Sequence, residues 1–117
     1  MLSKNNDSKD LLNDIYKGKL YDELILQLNK DFSLVGLNCH FSKDELPLQL
    51  KEKLNKTIQN LIKTDFNVYL SLLYRIDVSE DNITTSNTDN LASYSEKVSF
   101  EILKRIWKKV WFRSHFS

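Results

Sequence analysis

Apolar residues recur at helical spacing from about Ser8, which is an acceptable N-cap for a first helix. The first apolar face comprises Leu11, Leu12, Ile15 and Tyr16. A second apolar stripe, over residues 20–32, points almost the opposite way at about 100° per residue. One straight helix would bury one stripe and expose the other, so we predict a break at residues 17–19. Gly36 is predicted to close the second helix in a left-handed conformation, before a loop over residues 37–41.

The longest apolar stripe spans residues 50–76 and keeps one phase for about seven helical turns. Asp65 falls within this stripe, and burying a lone carboxylate without a partner costs several kcal/mol. We therefore predict that Thr64 or Asp65 caps a fresh helix, which gives two helices at about 47–63 and 65–76. The alternative is a functional buried acid at Asp65.

The start of the third helix carries two local signals. Ser42 and Glu45 fit a capping box, and Pro47 is accepted in a first turn but not in a helix interior. The helix is therefore predicted to begin between residues 43 and 48.

Residues 66–76 are apolar on nearly every side, a pattern typical of a helix enclosed by its neighbours. We predict that this helix is the central one. Residues 77–90 are dense in Ser, Thr, Asn and Asp, which predicts a long mobile connection with Val78 and Ile83 as anchors.

The last helix is predicted over residues 90–113, with Thr88 or Asp89 as its cap. Its apolar face shifts along its length, so the helix bends or packs against two neighbours. Both chain ends, residues 1–7 and 114–117, are predicted to fray.

Only two glycines and one proline occur among 117 residues, against about eight and six at average usage. Tight turns, strand connections and phosphate-binding loops depend on such residues. The sequence therefore predicts a single all-α domain over residues 1–117, a small bundle of four to five helices with a long polar loop before the C-terminal helix. Nucleotide chemistry on a glycine-rich loop is excluded for the same reason.

Charge and cysteine content narrow the class of protein. The net charge is +1, so no long-range field gathers nucleic acid or acidic substrates. Cys39 is the single cysteine, which excludes an intrachain disulfide and favours a reducing compartment. Because the start is polar and no apolar run reaches about 18 residues, we expect a cytoplasmic protein without membrane insertion.

The end of the last helix carries the strongest functional signal. After Glu101 the sequence has five cations, no acidic residue, and interleaved aromatic residues. The candidate interaction surface comprises Lys104, Arg105, Trp107, Lys108, Lys109, Trp111 and Arg113. Such a surface suits an acidic partner protein, the phosphates of a nucleic acid or an anionic membrane face. A structural explanation also fits, since cations near a helix C-terminus are favoured by about 0.3–1 kcal/mol each and tryptophans at i, i+4 spacing pack well together.

Arg75, Asp77 and Glu80 lie together at the end of the predicted central helix, where an arginine–carboxylate pair would organise a corner. This stretch, residues 73–80, and the final run, residues 104–113, resemble small uncharacterised all-helical proteins found in bacteria. The resemblance implies an all-helical fold. Because that family has no assigned activity, the resemblance assigns no site residues to this chain.

Catalytic and metal-binding patterns are scarce. Cys39 and His40 are neighbours whose side chains point apart, and His115 lies near a chain end. No Cys-x-x-Cys, His-x-x-x-His or Glu-x-x-His spacing occurs, so we expect no metal, no cofactor and no catalytic residues. An enzyme is a third hypothesis, and it predicts a deep pocket lined by carboxylates, among them Asp65.

These observations predict a non-enzymatic cytoplasmic protein that acts by protein–protein contact through the candidate interaction surface. The partner is another protein or a second copy of this chain. The alternative is a nucleic-acid-associated module that uses the same cations, in which case affinity should fall steeply between about 50 and 200 mM salt.

Overall fold

Five α-helices and one 3₁₀ turn form the part of the chain that the structure, a computed structural model, describes: residues 6–83 and 90–116. The elements are α1 Ser8–Lys17, α2 Tyr21–Leu34, α3 Pro47–Thr64, α4 Phe66–Ile76, the 3₁₀ turn Glu80–Asn82 and α5 Leu91–Phe116. No strand occurs in these residues, so the predicted all-α fold is confirmed. Predictions for residues 1–5, 84–89 and 117, including the cap at Thr88 or Asp89, lie outside the described residues.

The break between α1 and α2 lies where the two opposed stripes predict it. α1 ends at Lys17, and the Gly18 N–H closes its last turn on a carbonyl oxygen at 3.1 Å. α2 starts at Tyr21. The change of direction lets both stripes reach one core, in which Leu12 of α1 and Leu24 of α2 are fully buried.

The ends of these two helices confirm one cap prediction and correct another. Gly36 follows α2 with φ +84°, the left-handed conformation predicted for it. At the start of α1, Asp7 rather than Ser8 is the N-cap, since its carboxylate accepts from the Asp10 N–H at 2.9 Å. The carboxylate is the stronger acceptor for a helix N-terminus, and Ser8 becomes the first helical residue.

The third helix begins at Pro47, inside the predicted window. The Ser42 N–H donates to the Glu45 carboxylate at 2.9 Å, but this pair closes a turn that precedes the helix. The helix itself is held by the Leu46 N–H, which donates to the Gln49 side chain at 2.9 Å. The predicted capping box of Ser42 and Glu45 therefore does not cap α3; these residues close the preceding turn.

Asp65 separates α3 from α4, as the capping prediction requires. Its side chain accepts from the Val68 N–H at 3.3 Å. Asp65 is exposed, so the long apolar stripe is interrupted by a cap and not by a buried acid. The alternative of a functional buried acid at this position is wrong.

The centre of the bundle is α5 and not α4. α5 contacts each of the other four helices, and α3 and α5 form the most extensive pair. α4 packs through Tyr69, Leu72, Leu73 and Ile76, whereas Phe66, Leu70 and Tyr74 on its outer side are exposed. The prediction of an enclosed central helix is therefore wrong: an eleven-residue helix with apolar residues all round does not reveal which of its faces a neighbour covers.

The connection before the last helix has its predicted span and anchors, whereas the last helix is longer than predicted. Val78 and Ile83 are buried, as predicted for anchors, and the 3₁₀ turn lies between them. α5 continues to Phe116, so it includes residues 114–116, which the sequence analysis placed in a frayed tail. Asn90 precedes α5 and accepts from the Ser93 N–H at 2.8 Å.

Tyr21, the first residue of α2, joins the helix to the loop before α3. Its hydroxyl donates to the Glu45 carbonyl oxygen at 2.7 Å, and the residue is buried. Burial, followed by the negative charge of Glu45, raises the pKa of Tyr21 to about 12 from its ordinary 10.0.

This shift gives Tyr21 a defined role in alkaline stability. The unfolded phenol ionises near pH 10.0 while the folded one keeps its proton to about pH 12. The contribution of Tyr21 is therefore complete below pH 10 and lost as pH rises between these values. We expect Tyr21→Phe to cost about 1 kcal/mol at pH 7 and to make the alkaline decline shallower, as measured by urea unfolding from pH 8 to pH 12. Tyr74→Phe, at a 90% exposed position, is the control; equal declines in both variants would contradict the assignment.

Candidate functional site

Two of the predicted surface cations bind acids near the start of the basic run. Lys104 pairs with Glu101 at 2.8 Å, and its ammonium lies 4.5 Å from the centre of the Phe100 ring. Arg105 reaches Asp77, just beyond α4, at 2.9 Å. Exposed pairs of this kind contribute at most about 1 kcal/mol each. Both cations are nevertheless partly neutralised by the chain's own acids.

The corner after α4 is built differently from the prediction. Asp77 ends the helix in the left-handed region with φ 69° and pairs with Arg105. Arg75, predicted to pair with Asp77 or Glu80, instead donates through Nε to Asp31 of α2 at 3.3 Å. The reversal of the chain at Asp77 leaves that carboxylate facing α5, while Arg75 lies against α2.

The buried carboxylate of Asp31 binds two further cations, Arg75 and Lys109. Together with Gln27 and Arg113, which extend this hydrogen-bond network, these residues form a group that we call the Asp31 centre. Asp31 is 0% exposed. Its Oδ1 accepts from Gln27 Nε2 at 3.1 Å and from Arg75, and its Oδ2 accepts from Lys109 Nζ at 3.4 Å. Arg113 donates to the side-chain amide oxygen of Gln27, Oε1, at 2.8 Å. The centre thus joins α2, α4 and α5, and it uses two of the predicted surface cations from within the fold.

The sequence contained a signal for this centre. Asp31 lies three residues after Leu28 and seven after Leu24, so it falls on the buried stripe of α2, as Asp65 does on the stripe of α3. Gln27 precedes it by four residues, the spacing of a helical glutamine–aspartate pair. The distant cations are beyond the reach of such spacing, because Lys109 is 78 residues away in the sequence.

Lys108 and the tryptophans complete the predicted surface. Lys108 is exposed, and no carboxylate of the described residues lies within 4.0 Å of its ammonium. Trp107 is half-buried and packs against the core, which is the structural role considered for it. Trp111 is also half-buried, but its ring stacks on His115 at 4.1 Å between centroids.

The last turns of α5 form an exposed cluster that we call the aromatic end: Trp111, Phe112, His115 and Phe116. Phe112 and Phe116 stack at 5.4 Å, and Trp111 meets each of them edge to face at 5.3 and 6.1 Å. Phe112 is 40% and Phe116 72% exposed. Phe112, His115 and Phe116 were absent from the predicted surface; the last two were assigned to a frayed tail.

Cys39 and His40 do not form a nucleophile–base pair. The Cys39 thiol lies 3.5 Å from the Thr57 hydroxyl, on an open cleft of about 560 Å³ between α3 and the loop before it. The His40 carbonyl accepts from Lys53. Within residues 6–83 and 90–116, no three His, Cys, Asp or Glu side chains come together as metal ligands.

Comparisons with known proteins add no family to these observations: no family model, curated protein or solved structure matches the chain. The resemblance to small helical bacterial proteins stays a prediction. Across the described part of the chain, no helix combines the length and apolar character needed to cross a bilayer.

Because Asp31 is buried and Asp77 is exposed, we expect Asp31→Asn and Asp77→Asn to lower the free energy of unfolding by very different amounts. Asp31→Asn removes a buried charge and turns an acceptor into a donor that faces a cation, so we expect a loss of about 3 kcal/mol in the free energy of unfolding. Asp77→Asn breaks an arginine pair whose carboxylate is 80% exposed, and it keeps a residue type that tolerates the left-handed region. We expect a loss of at most about 1 kcal/mol there. Urea unfolding at pH 7 measures both, and equal losses would contradict the structural role of Asp31.

Proposed function

We propose that this protein acts by binding another protein, without catalysis, and that the aromatic end of α5 makes the contact. The observation that carries the proposal is the exposure of Phe112 and Phe116 beside Trp111. Contiguous exposed apolar surface marks interaction sites, and buried aromatic anchors supply much of the binding energy in protein interfaces. A stacked aromatic group loses little conformational freedom on binding, which favours this role.

The charge around the aromatic end favours an acidic partner. Lys108 is exposed one turn before Phe112, and no acidic residue follows Glu101 in the sequence. A segment that offers carboxylates next to apolar side chains would complement both features. Two copies meeting end to end would place like charges opposite each other, so a second copy is the less favourable occupant.

Nucleic acid is the less favoured class of partner, because the cations do not form one continuous row along which a nucleic-acid backbone could bind. Lys104, Arg105 and Lys109 each contact a carboxylate of the chain, and Arg113 is bound to Gln27. Strong phosphate binding needs several cations that can replace counterions. An interface of aromatic anchors with one exposed lysine instead fits recognition of a protein.

The cytoplasm is the proposed compartment. A single cysteine with a free thiol agrees with a reducing environment. The resemblance to small helical bacterial proteins without assigned activity agrees with a non-catalytic role in a bacterial cell.

Site-specific photo-crosslinking identifies the partner and tests the surface at once. A photoreactive phenylalanine analogue is placed at Phe116, and in a matched control at Tyr74, which is 90% exposed on α4. We expect one protein to be captured in the source cell from position 116 and not from position 74. That protein is then purified for affinity measurements.

Affinity for the purified partner gives the decisive result. We expect Phe116→Ser to weaken binding by at least about tenfold, because it removes an anchor. Tyr74→Ser should leave the affinity unchanged, and Lys108→Glu should weaken it by charge repulsion. The affinity should change by less than about tenfold between 50 and 200 mM salt. Capture of RNA or DNA from position 116, with a steep salt dependence, would replace this proposal by the nucleic-acid alternative; equal capture from both positions would overturn the assigned surface.

A further inference from the structure

Asp31 uses only part of the hydrogen-bonding capacity of the cations that hold it. Arg75 reaches it through Nε and Lys109 through Nζ. A guanidinium carries five N–H groups and an ammonium three. No second carboxylate within the described residues lies within 4.0 Å of either cation. Most of their donors are therefore unused by the fold.

The side chains that carry these donors are partly exposed to solvent, while the carboxylate is not. The side chains of Arg75 and Lys109 are 42% and 37% exposed, whereas Asp31 is 0% exposed. Asp31 thus fixes both cations from inside the bundle, and any ligand approaches them from outside. Because both cations contact one carboxylate, their charged atoms are held close together and need little reorganisation to bind.

The local charge favours an anion. Two cations share one carboxylate, and Arg113 adds a third positive charge through Gln27, a neutral residue that itself donates to Asp31. Arg113 also borders a cleft with Glu23, so we do not count it among the ligands. The excess of positive charge at Arg75 and Lys109 is not cancelled within the centre.

The donor geometry selects among anions. The planar fork of an arginine beside the point charge of a lysine suits a group with several oxygens and more than one negative charge. A phosphate group meets both conditions, while a monocarboxylate carries half the charge. The buried carboxylate behind the cations acts as a positioning group, much as outer residues orient the ligands of a metal.

We propose that Arg75 and Lys109 form a binding site for a phosphate group, with Asp31 as the residue that positions them. The site shares no residue with the aromatic end, so it does not depend on the proposed function. Its ligand is inorganic phosphate or the phosphate of a small monoester.

Nuclear magnetic resonance of the ¹⁵N-labelled protein tests the site with inorganic phosphate as the probe, at pH 7.5 and constant ionic strength. We expect saturable shifts of the Arg75 Nε–H and of amides near Asp31, with a Kd of about 1 mM. Arg75→Gln and Lys109→Gln should each weaken binding by at least about tenfold. Lys108→Gln, a neighbouring exposed lysine outside the centre, should leave the Kd unchanged.

Two further measurements, on the Arg75→Lys variant and with glycerol phosphate, test the guanidinium and the source of the phosphate. Arg75→Lys keeps the charge, so if Arg75→Gln does not fold, the proposal predicts a several-fold loss in Arg75→Lys; an unchanged Kd would overturn the role of the guanidinium. Glycerol phosphate identifies the source, since tighter binding than inorganic phosphate indicates a monoester and weaker binding indicates the free ion. Shifts that stay linear, or that weaken equally in Lys108→Gln and Lys109→Gln, would indicate an adventitious ion only and would overturn the proposal.

Discussion

The burial of one carboxylate fixes how α2, α4 and α5 meet. Asp31 lies on the apolar stripe of α2, where an unpaired charge would be costly, so α4 and α5 must each bring a cation to it. This requirement sets the rotation of both helices about their axes. It also explains why α4 presents Arg75 to α2 and leaves Phe66 and Tyr74 on the outside of the bundle.

The same requirement decides what the basic end of α5 can do. In the sequence its cations form one continuous run. In the structure, however, Lys109 and Arg113 bind within the Asp31 centre, and Arg105 pairs with Asp77. The patch is thereby divided into a polar side that holds the bundle together and an outward side. On the outward side, the aromatic rings at the helix terminus are the dominant feature. The account of function follows from that division.

The parts of the fold that the sequence predicted are those decided by near neighbours. The break at residues 17–19 follows from two stripes of opposite phase, and the cap at Asp65 joins groups three residues apart. The parts that it missed depend on which surfaces meet. Local spacing predicts neither the exposure of Tyr74 nor the pairing of Arg75 with Asp31, which lies 44 residues away in the sequence.

For the candidate surface too, the sequence predicted what depends on near neighbours and missed what depends on packing. Periodicity identified the helix and its cations, and it assigned Trp107 to the core as one of two explanations. It could not separate Lys108, which is exposed, from Lys109, which is held by Asp31, because adjacent residues on a helix differ by about 100° in direction and only the packing shows which direction is covered. The contribution of Phe116 was missed because the helix was expected to end three residues earlier.

A double-mutant cycle between Asp31 and Lys109 tests the central claim most directly, with the substitutions Asp31→Asn and Lys109→Met and the free energy of unfolding as the measured quantity. The account predicts a coupling energy of at least about 1 kcal/mol between these residues, and a value within about 0.5 kcal/mol of zero when Lys108→Met replaces Lys109→Met. Additive effects for Asp31 and Lys109 would show that the buried carboxylate does not hold α5, and would contradict the account.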